Sequence, residues 1–322
     1  MPAGPATAAR PGLCSVTYRQ MAPRDVVACA ADAGLAVVEW GGDRHVPPGD
    51  VGTAREVRAL TVEAGLSTSS YGSYFRAGVT DFGEWPAVVR TAVALGAPRV
   101  RVWAGVVGSA GAGGEQRDAV VRALREAGRI AADYGIVVAT EFHAGTLADS
   151  AAATIGLLDE VARPDVRTYW QPPEGMPDAE AVAGLRELGD RVCALHVFSW
   201  WPGNHRLRLP ARSALWHEVF DVVRSQGRVL DSLLEFVPQD RPDLLRDEAA
   251  ALVAMSALTE EVPLHPGAPR SSWPCGPASP STSSTRTPGP CSTPSPTSTG
   301  TSWSRTSEHR VPASTCGGPR SC

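Results

Sequence analysis

Residues 137 to 145 read VVATEFHAG. The apolar, β-branched start of this run has the composition of a short buried strand, and it passes directly into Glu141, Phe142 and His143. A carboxylate and an imidazole are costly to bury without partners, so the surrounding chain has to provide something that holds them.

Working outward, the same type of run recurs. β-rich stretches stand at 12–18, 36–41, 67–75, 99–105, 136–143, 166–172, 192–200 and 228–237. Each is followed by a segment with apolar residues at i, i+3 and i+4 spacing: 22–34, 51–65, 85–96, 115–135, 147–161, 178–189, 212–227 and 240–257. Several of these end in glycine, the usual residue just past a helix C-terminus. Eight strand-then-helix units in about 245 residues is the arithmetic of an α/β fold of the (β/α)8 TIM barrel type. An open doubly wound sheet is the competing architecture, but TYRQMAPRD follows the first strand where that fold needs a Gly-rich phosphate loop.

Composition narrows the function classes. The chain has 322 residues and a formal net charge of -4. No Lys/Arg block falls in the first 260 residues, so nucleic acid is not an expected partner. No run of about 18 apolar residues could span a bilayer, and MPAGPATAARPG lacks the apolar core of a signal peptide, so a cytoplasmic protein without membrane association is expected. Cys14, Cys29 and Cys193 stand in apolar contexts without CxxC spacing and read as reduced core thiols. The expected organisation is a flexible N-terminus over 1–11, a barrel over 12–258 and a low-complexity Pro/Ser/Thr-rich tail over 259–322. That tail cannot build a core and reads as disordered. Lys is absent from the whole chain, which suggests a GC-rich coding sequence, and a frameshifted end gives the same composition.

Functional side chains of such barrels sit at the C-terminal ends of the strands. Reading those ends gives Glu39 on the second strand, Trp103 on the fourth, Glu141 and His143 on the fifth, Gln171 on the sixth, His196 on the seventh and Glu235 on the eighth. Taken singly, a strand-end Glu is commonly solvated or salt-bridged and a strand-end His commonly packs on a hydrogen bond. Taken together, Glu141, Gln171, His196 and Glu235 come from four consecutive strands and make a mostly oxygen cage, suited to one divalent metal ion such as Mn, Mg, Co or Zn. On this reading a cation is the partner that Glu141 requires.

The chain from about Gly12 to Ala257 resembles the xylose-isomerase-like TIM-barrel superfamily of sugar phosphate isomerases and epimerases. VEWGGDRHV after the second strand, RVWAG, EFHAGTLADS, YWQPPEG, LHVFSW and LLEFV carry the resemblance by their order and spacing. It implies a single metal held by a Glu, an Asp, a His and a second Glu, which fall here on Glu141, Gln171, His196 and Glu235. Gln171 departs from the usual Asp, so the cage loses one negative charge. Glu174 stands where relatives often carry a His that touches substrate or metal.

The resemblance further implies proton transfer next to a metal-bound carbonyl, with Glu141 and Glu235 as the catalytic acid/base pair. Glu39, Trp103, His143, Glu174, Arg206 and Arg208 are the candidate substrate-binding residues. Trp103 is suited to stacking on a sugar face, and Arg206 and Arg208 either grip an anionic group or are solvated loop residues. Asp43 and His45 are placed at the rim. The expected function is a metal-dependent isomerase or epimerase of a small sugar, sugar acid or related polyol, with a small-molecule carbohydrate as its partner. An inosose-dehydratase-like lyase or an inactive sugar-binding barrel are the alternatives, and whether barrels pair as a homodimer is left open.

Overall fold

A computed structural model describes residues 7–257. The Pro/Ser/Thr-rich stretch 259–322 and its expected disorder lie outside the described residues. In chain order the elements are β1 (Ala9–Cys14), α1 (Pro23–Asp32), β2 (Val37–Gly41), α2 (Val51–Glu63), β3 (Ser67–Arg76), α3 (Trp85–Leu95), β4 (Arg99–Trp103), α4 (Gly114–Ala132), β5 (Val137–Thr140), α5 (Ala151–Val161), β6 (Val166–Trp170), α6 (Asp178–Leu188), β7 (Val192–Val197), β8 (Ser199–Trp200), β9 (Arg206–Leu207), α7 (Ser213–Ser225), β10 (Leu230–Leu234) and α8 (Leu245–Ser256). Eight of the strands close a ring in the order β1-β10-β7-β6-β5-β4-β3-β2, and every pairing in it is parallel. This is a (β/α)8 TIM barrel.

Side chains along the strands divide between two cores. Val38, Trp40, Tyr71, Val100, Val138, Trp170, Leu195 and Leu234 join the large cluster under the helices. Cys14, Val37, Ala139, Tyr169, Cys193, Ala194 and Leu233 form a second, smaller cluster. Gly12 belongs where strands crowd: a Cβ there would stand 2.5 Å from Val37 Cγ2 and 2.7 Å from Leu233 Cδ2. Helix starts follow local chemistry as well. Asp50 accepts from Thr53 N at 3.0 Å and Ser150 from Ala153 N at 3.3 Å, each satisfying an orphan donor of the first turn.

Several boundaries differ from the sequence reading. The barrel begins at Ala9 rather than Gly12, because Ala9, Arg10 and Pro11 pair with Leu230, Asp231 and Ser232, so the expected flexible segment 1–11 is ordered strand at its end. Ser15–Tyr18 turns into a 3-10 helix where strand was expected. The fifth helix starts at Ala151 instead of Leu147, since the Ser150 cap fixes its first turn. The seventh crossover holds a two-residue hairpin, Ser199–Trp200 against Arg206–Leu207, that the pattern did not reveal. Cys14 and Cys193 are buried free thiols and Cys29 is half-buried. No helix among the described residues is long and apolar enough to cross a membrane.

Candidate functional site

The inward positions next to the C-terminal mouth are polar, and they form one connected network around Arg101. This residue is the third of β4, Arg99–Trp103, and it points inward because Val100 and Val102 pack under the helices. Its Nε donates to Glu39 Oε1 at 2.9 Å and its Nη1 to Glu141 Oε2. Ser70 Oγ donates to the other Glu39 oxygen at 2.7 Å. Gly72 on the neighbouring strand leaves the space the guanidinium fills, since a Cβ there would lie 2.7 Å from Arg101 Nη2 and 3.1 Å from Glu39 Oε1. The partner of Glu141 in the folded chain is Arg101, a guanidinium where the sequence leads one to expect a metal cation. The reason is geometric, since a long guanidinium on the adjacent strand reaches the strand end from below.

Beside this network stands His196, fully buried on β7. Its Nδ1 lies 3.0 Å from Gln171 Oε1 and 3.4 Å from Glu235 Oε2. Its Nε2 has no hydrogen-bond partner, and Glu39 Oε1 is 3.6 Å away. Tyr169 packs edge-on against the imidazole with ring centroids 5.0 Å apart. Cys14, His196 and Glu235 offer ligand atoms within 4.8 Å of one another, a possible metal-ligand cluster among the described residues. The apolar sequence context of Cys14 predicts packing alone. Three of the four residues of the expected cage, Gln171, His196 and Glu235, are thus neighbours, while the fourth, Glu141, is engaged by Arg101.

Burial and charge act against each other here. Burial would raise the Glu39 carboxyl, but the Arg101 guanidinium, His196 and Ser70 outweigh it and hold the group well below the usual carboxylate range. Glu235 is pushed the other way: burial raises it, and the nearby charges of Glu141 and Glu39 add to that against His196 and Arg101. Burial disfavours the His196 cation, yet the charge of Glu235 and the proximity of Glu39 leave it above the ordinary histidine value. Burial also pushes the Cys14 thiol well up, so it holds its proton. Three buried carboxylates, Glu39, Glu141 and Glu235, thus share one guanidinium and the His196 imidazole.

Above the network opens a pocket of about 280 Å³ whose lining includes Arg76, Trp103, Glu141, His143, Gln171 and Glu235. Trp103 and His143 stack with centroids 4.7 Å apart, and the Arg76 guanidinium lies 4.6 Å over the centroid of the Trp103 ring. The opposite wall is aromatic: Trp200 packs on Phe198 and Phe236 with centroids at 4.7 and 5.3 Å. Phe236, next to Glu235, has a positive φ of 53°, and its N–H donates to Thr17 Oγ1 at 3.0 Å, which pins the backbone beside the carboxylate.

The remaining expected site residues fall elsewhere. Glu39 sits beneath the pocket floor, bound to Arg101 and Ser70. Glu174 lines an adjoining pocket with His143 and Asp149. Arg206 is drawn to Asp240 at 2.8 Å and lies over the Phe236 ring at 4.6 Å. Arg208 turns to Glu248 and Asp247 on α8. Neither arginine lines this pocket: acidic partners brought close by the fold pair with both, and Arg208 stays exposed to solvent. His45 accepts a rim position of another kind, buried with Nδ1 3.0 Å from Ser15 Oγ. Arg19, Arg76 and Arg101, absent from the sequence reading, are the arginines that line the pocket.

The closed (β/α)8 barrel thus brings charged strand ends together at one mouth. The family model described as the xylose isomerase-like TIM barrel matches residues 27–255, and the chain belongs to that family. Among solved structures, the chain is similar to the probable 3-DHS dehydratase AsbF from Bacillus anthracis, with a TM-score of 0.63 at 19% identity, covering 76% of this chain and 98% of that one. It is similar to D-allulose 3-epimerase from Methylomonas sp., with a TM-score of 0.60 at 18% identity over 79% and 99%. The 3-keto-D-glucoside 4-epimerase YcjR from E. coli gives 0.61 at 16% identity over 76% and 98%. No curated protein matches the chain in sequence.

Proposed function

We propose that this barrel is an isomerase or epimerase of a small sugar, sugar acid or related polyol, and that it works by proton transfer at a carbon next to a carbonyl. The observation that carries the reading is the placement of Glu141 and Glu235 on one pocket with Gln171 between them on β6's end and His196 beneath. The likeness to proteins named as an allulose 3-epimerase and a ketoglucoside 4-epimerase supports the same reaction type.

The residues fit one divalent ion, Mn, Mg, Co or Zn. Gln171 Oε1 and Glu235 Oε2, at 3.0 and 3.4 Å from His196 Nδ1, are spaced as donors that share an ion at about 2.0–2.3 Å. The orphaned Nε2 facing Glu39 is the arrangement in which a carboxylate orients a ligating imidazole. The buried carboxylates Glu39, Glu141 and Glu235 outnumber the one guanidinium set among them, which favours a cation at this place. Gln171, His196 and Glu235 would hold it, with Glu141 supplying its second oxygen. When bound, such an ion supplies Lewis acidity that polarises the substrate carbonyl.

The chain's own groups do the rest. In the ring order β5 and β10 are separated by β6 and β7, so Glu141 and Glu235 approach a molecule in the mouth from nearly opposite walls. One removes the proton and the other returns it. Arg101 fixes one Glu141 oxygen, and burial with the charges of Glu141 and Glu39 raises the affinity of the Glu235 carboxyl for a proton.

The test is proton exchange. The full chain loaded with Mn²⁺ is incubated in D₂O with a panel of ketoses and followed by NMR. Deuterium entering the carbon beside the carbonyl, lost with Glu141→Gln and Glu235→Gln, is the expected result. Substrate that also loses water marks a lyase, and binding without exchange for every sugar and metal means the barrel is not an enzyme of this kind.

A further inference from the structure

The arginines around the mouth are matched by acids, with one exception. Arg19 donates to Asp43 at 2.7 Å and to the Tyr74 hydroxyl at 2.8 Å. Arg101 is held by Glu39 and Glu141, and Arg206 by Asp240. Arg76 is half-buried at the end of β3 and lines the pocket of Glu141 and Glu235, yet it has no carboxylate partner among the described residues.

Its position is built rather than incidental. The β3–β4 register shifts between Gly72 and Arg76, Tyr74 adopts a positive φ of 59°, and after this bulge Arg76 pairs with Trp103. The guanidinium is seated over the indole, which leaves its edge N–H groups unused. Trp103 Nε1 is also without an acceptor. Both groups are donors only, so they call for a ligand rich in acceptors. The planar fork of an arginine matches a carboxylate with two parallel hydrogen bonds. A carboxylate carries the single negative charge that one guanidinium balances. A phosphate would bring a second negative charge toward Glu141 and Glu235.

We infer that Arg76 is a specificity-determining residue that receives a carboxylate at the far end of the substrate, while the carbonyl end reaches Glu141 and Glu235. The preferred substrate class is thereby a keto sugar acid rather than a neutral sugar. The inference rests on the proton-transfer reading of the site for the placement of the carbonyl end, but the carboxylate seat itself is tested separately.

The probes are matched pairs, D-fructose with D-fructuronate and D-tagatose with D-tagaturonate, together with D-fructose 6-phosphate, titrated calorimetrically into the Mn²⁺-loaded full chain. Wild type is expected to bind at least one acid about ten- to a hundredfold more tightly than its neutral partner. Arg76→Gln is expected to erase that preference, so that each acid binds no more tightly than its neutral partner, and Arg76→Lys to retain part of it. Equal binding within each pair, no binding of any acid, a preference that survives Arg76→Gln, or a stronger Arg76-dependent preference for the phosphate overturns the inference. Deuterium exchange in the same samples separates the two readings. An Arg76-dependent acid preference without exchange retires the proton-transfer reading and keeps the carboxylate seat, whereas exchange without the preference does the reverse.

Discussion

Arg101 Nε donates to Glu39 Oε1 at 2.9 Å inside the barrel, with both side chains almost wholly buried. The same guanidinium also holds Glu141, so a single cation on β4 compensates two carboxylates from β2 and the end of β5. Removing one partner of a buried pair leaves an uncompensated charge, which costs far more than the pair itself contributes. Arg101→Met should lower the free energy of unfolding by about 3–5 kcal/mol at neutral pH. Urea denaturation measures it, and a change below about 0.5 kcal/mol, the level of an ordinary surface substitution, would show that the network is not structural.

Gly72 tests the same network without touching a charge. Its missing Cβ is the space for Arg101 Nη2, and that atom cannot swing away freely because two buried carboxylates hold its guanidinium. Gly72→Ala should therefore cost about 1–3 kcal/mol, as overpacking of a close-packed interior does, and should lower proton-exchange activity by displacing Glu141 through Arg101. Thermal denaturation alongside the D₂O assay reads both. Full stability and full exchange in the variant would mean that the guanidinium has room to move.

How much of this was legible in the sequence depends on the distance between partners. The barrel showed because each strand and helix carries its own local periodicity, and Glu141, Gln171, His196 and Glu235 showed because strand ends can be counted. Arg101 did not, since RVRVW reads as a plain alternating strand and Glu39 lies 62 residues away. Arg208 seemed free for the same reason, its partner Glu248 being 40 residues further on. Arg76 was hidden by the bulge of β3, which changes which residue of SYFR faces the mouth. Cys14 looked like an ordinary core thiol because nothing local to it names His196 or Glu235.

The opposite end of the barrel predicts a pH dependence. Asp231 near the start of β10 accepts from Arg10 at 2.6 Å and from Ser69 at 2.8 Å, and Arg99 closes on its second oxygen. Burial would raise its pKa, but Arg10, Arg99 and Ser69 outweigh it and hold the carboxyl below the ordinary aspartate value. A group depressed on folding stabilises fully above its unfolded pKa, about 3.9, and loses that contribution as pH falls through the lower native value. Wild type should accordingly exceed Asp231→Asn in stability by a constant margin from pH 7 down to about pH 4, with the two curves converging below it. Denaturation midpoints across that range decide the matter, and a margin that persists unchanged to pH 2 would assign the effect to packing.

Gln171 is the most informative position for the metal reading. Its Oε1 lies 3.0 Å from His196 Nδ1, in the place where the family resemblance leads one to expect an Asp. Gln171→Asp converts a neutral donor into an anionic one, so Mn²⁺ affinity measured by calorimetry should rise about tenfold or more. Turnover need not follow affinity. A further carboxylate among Glu39, Glu141 and Glu235 adds negative charge where Glu235 is already pushed up, and it weakens the Lewis acidity available to the carbonyl. A site tuned around the amide should therefore exchange deuterium more slowly in the variant even at full occupancy, with the loss in kcat rather than in KM for the sugar. Unchanged Mn²⁺ affinity would remove Gln171 from the ligand set and leave Cys14, His196 and Glu235 as the remaining cluster to examine.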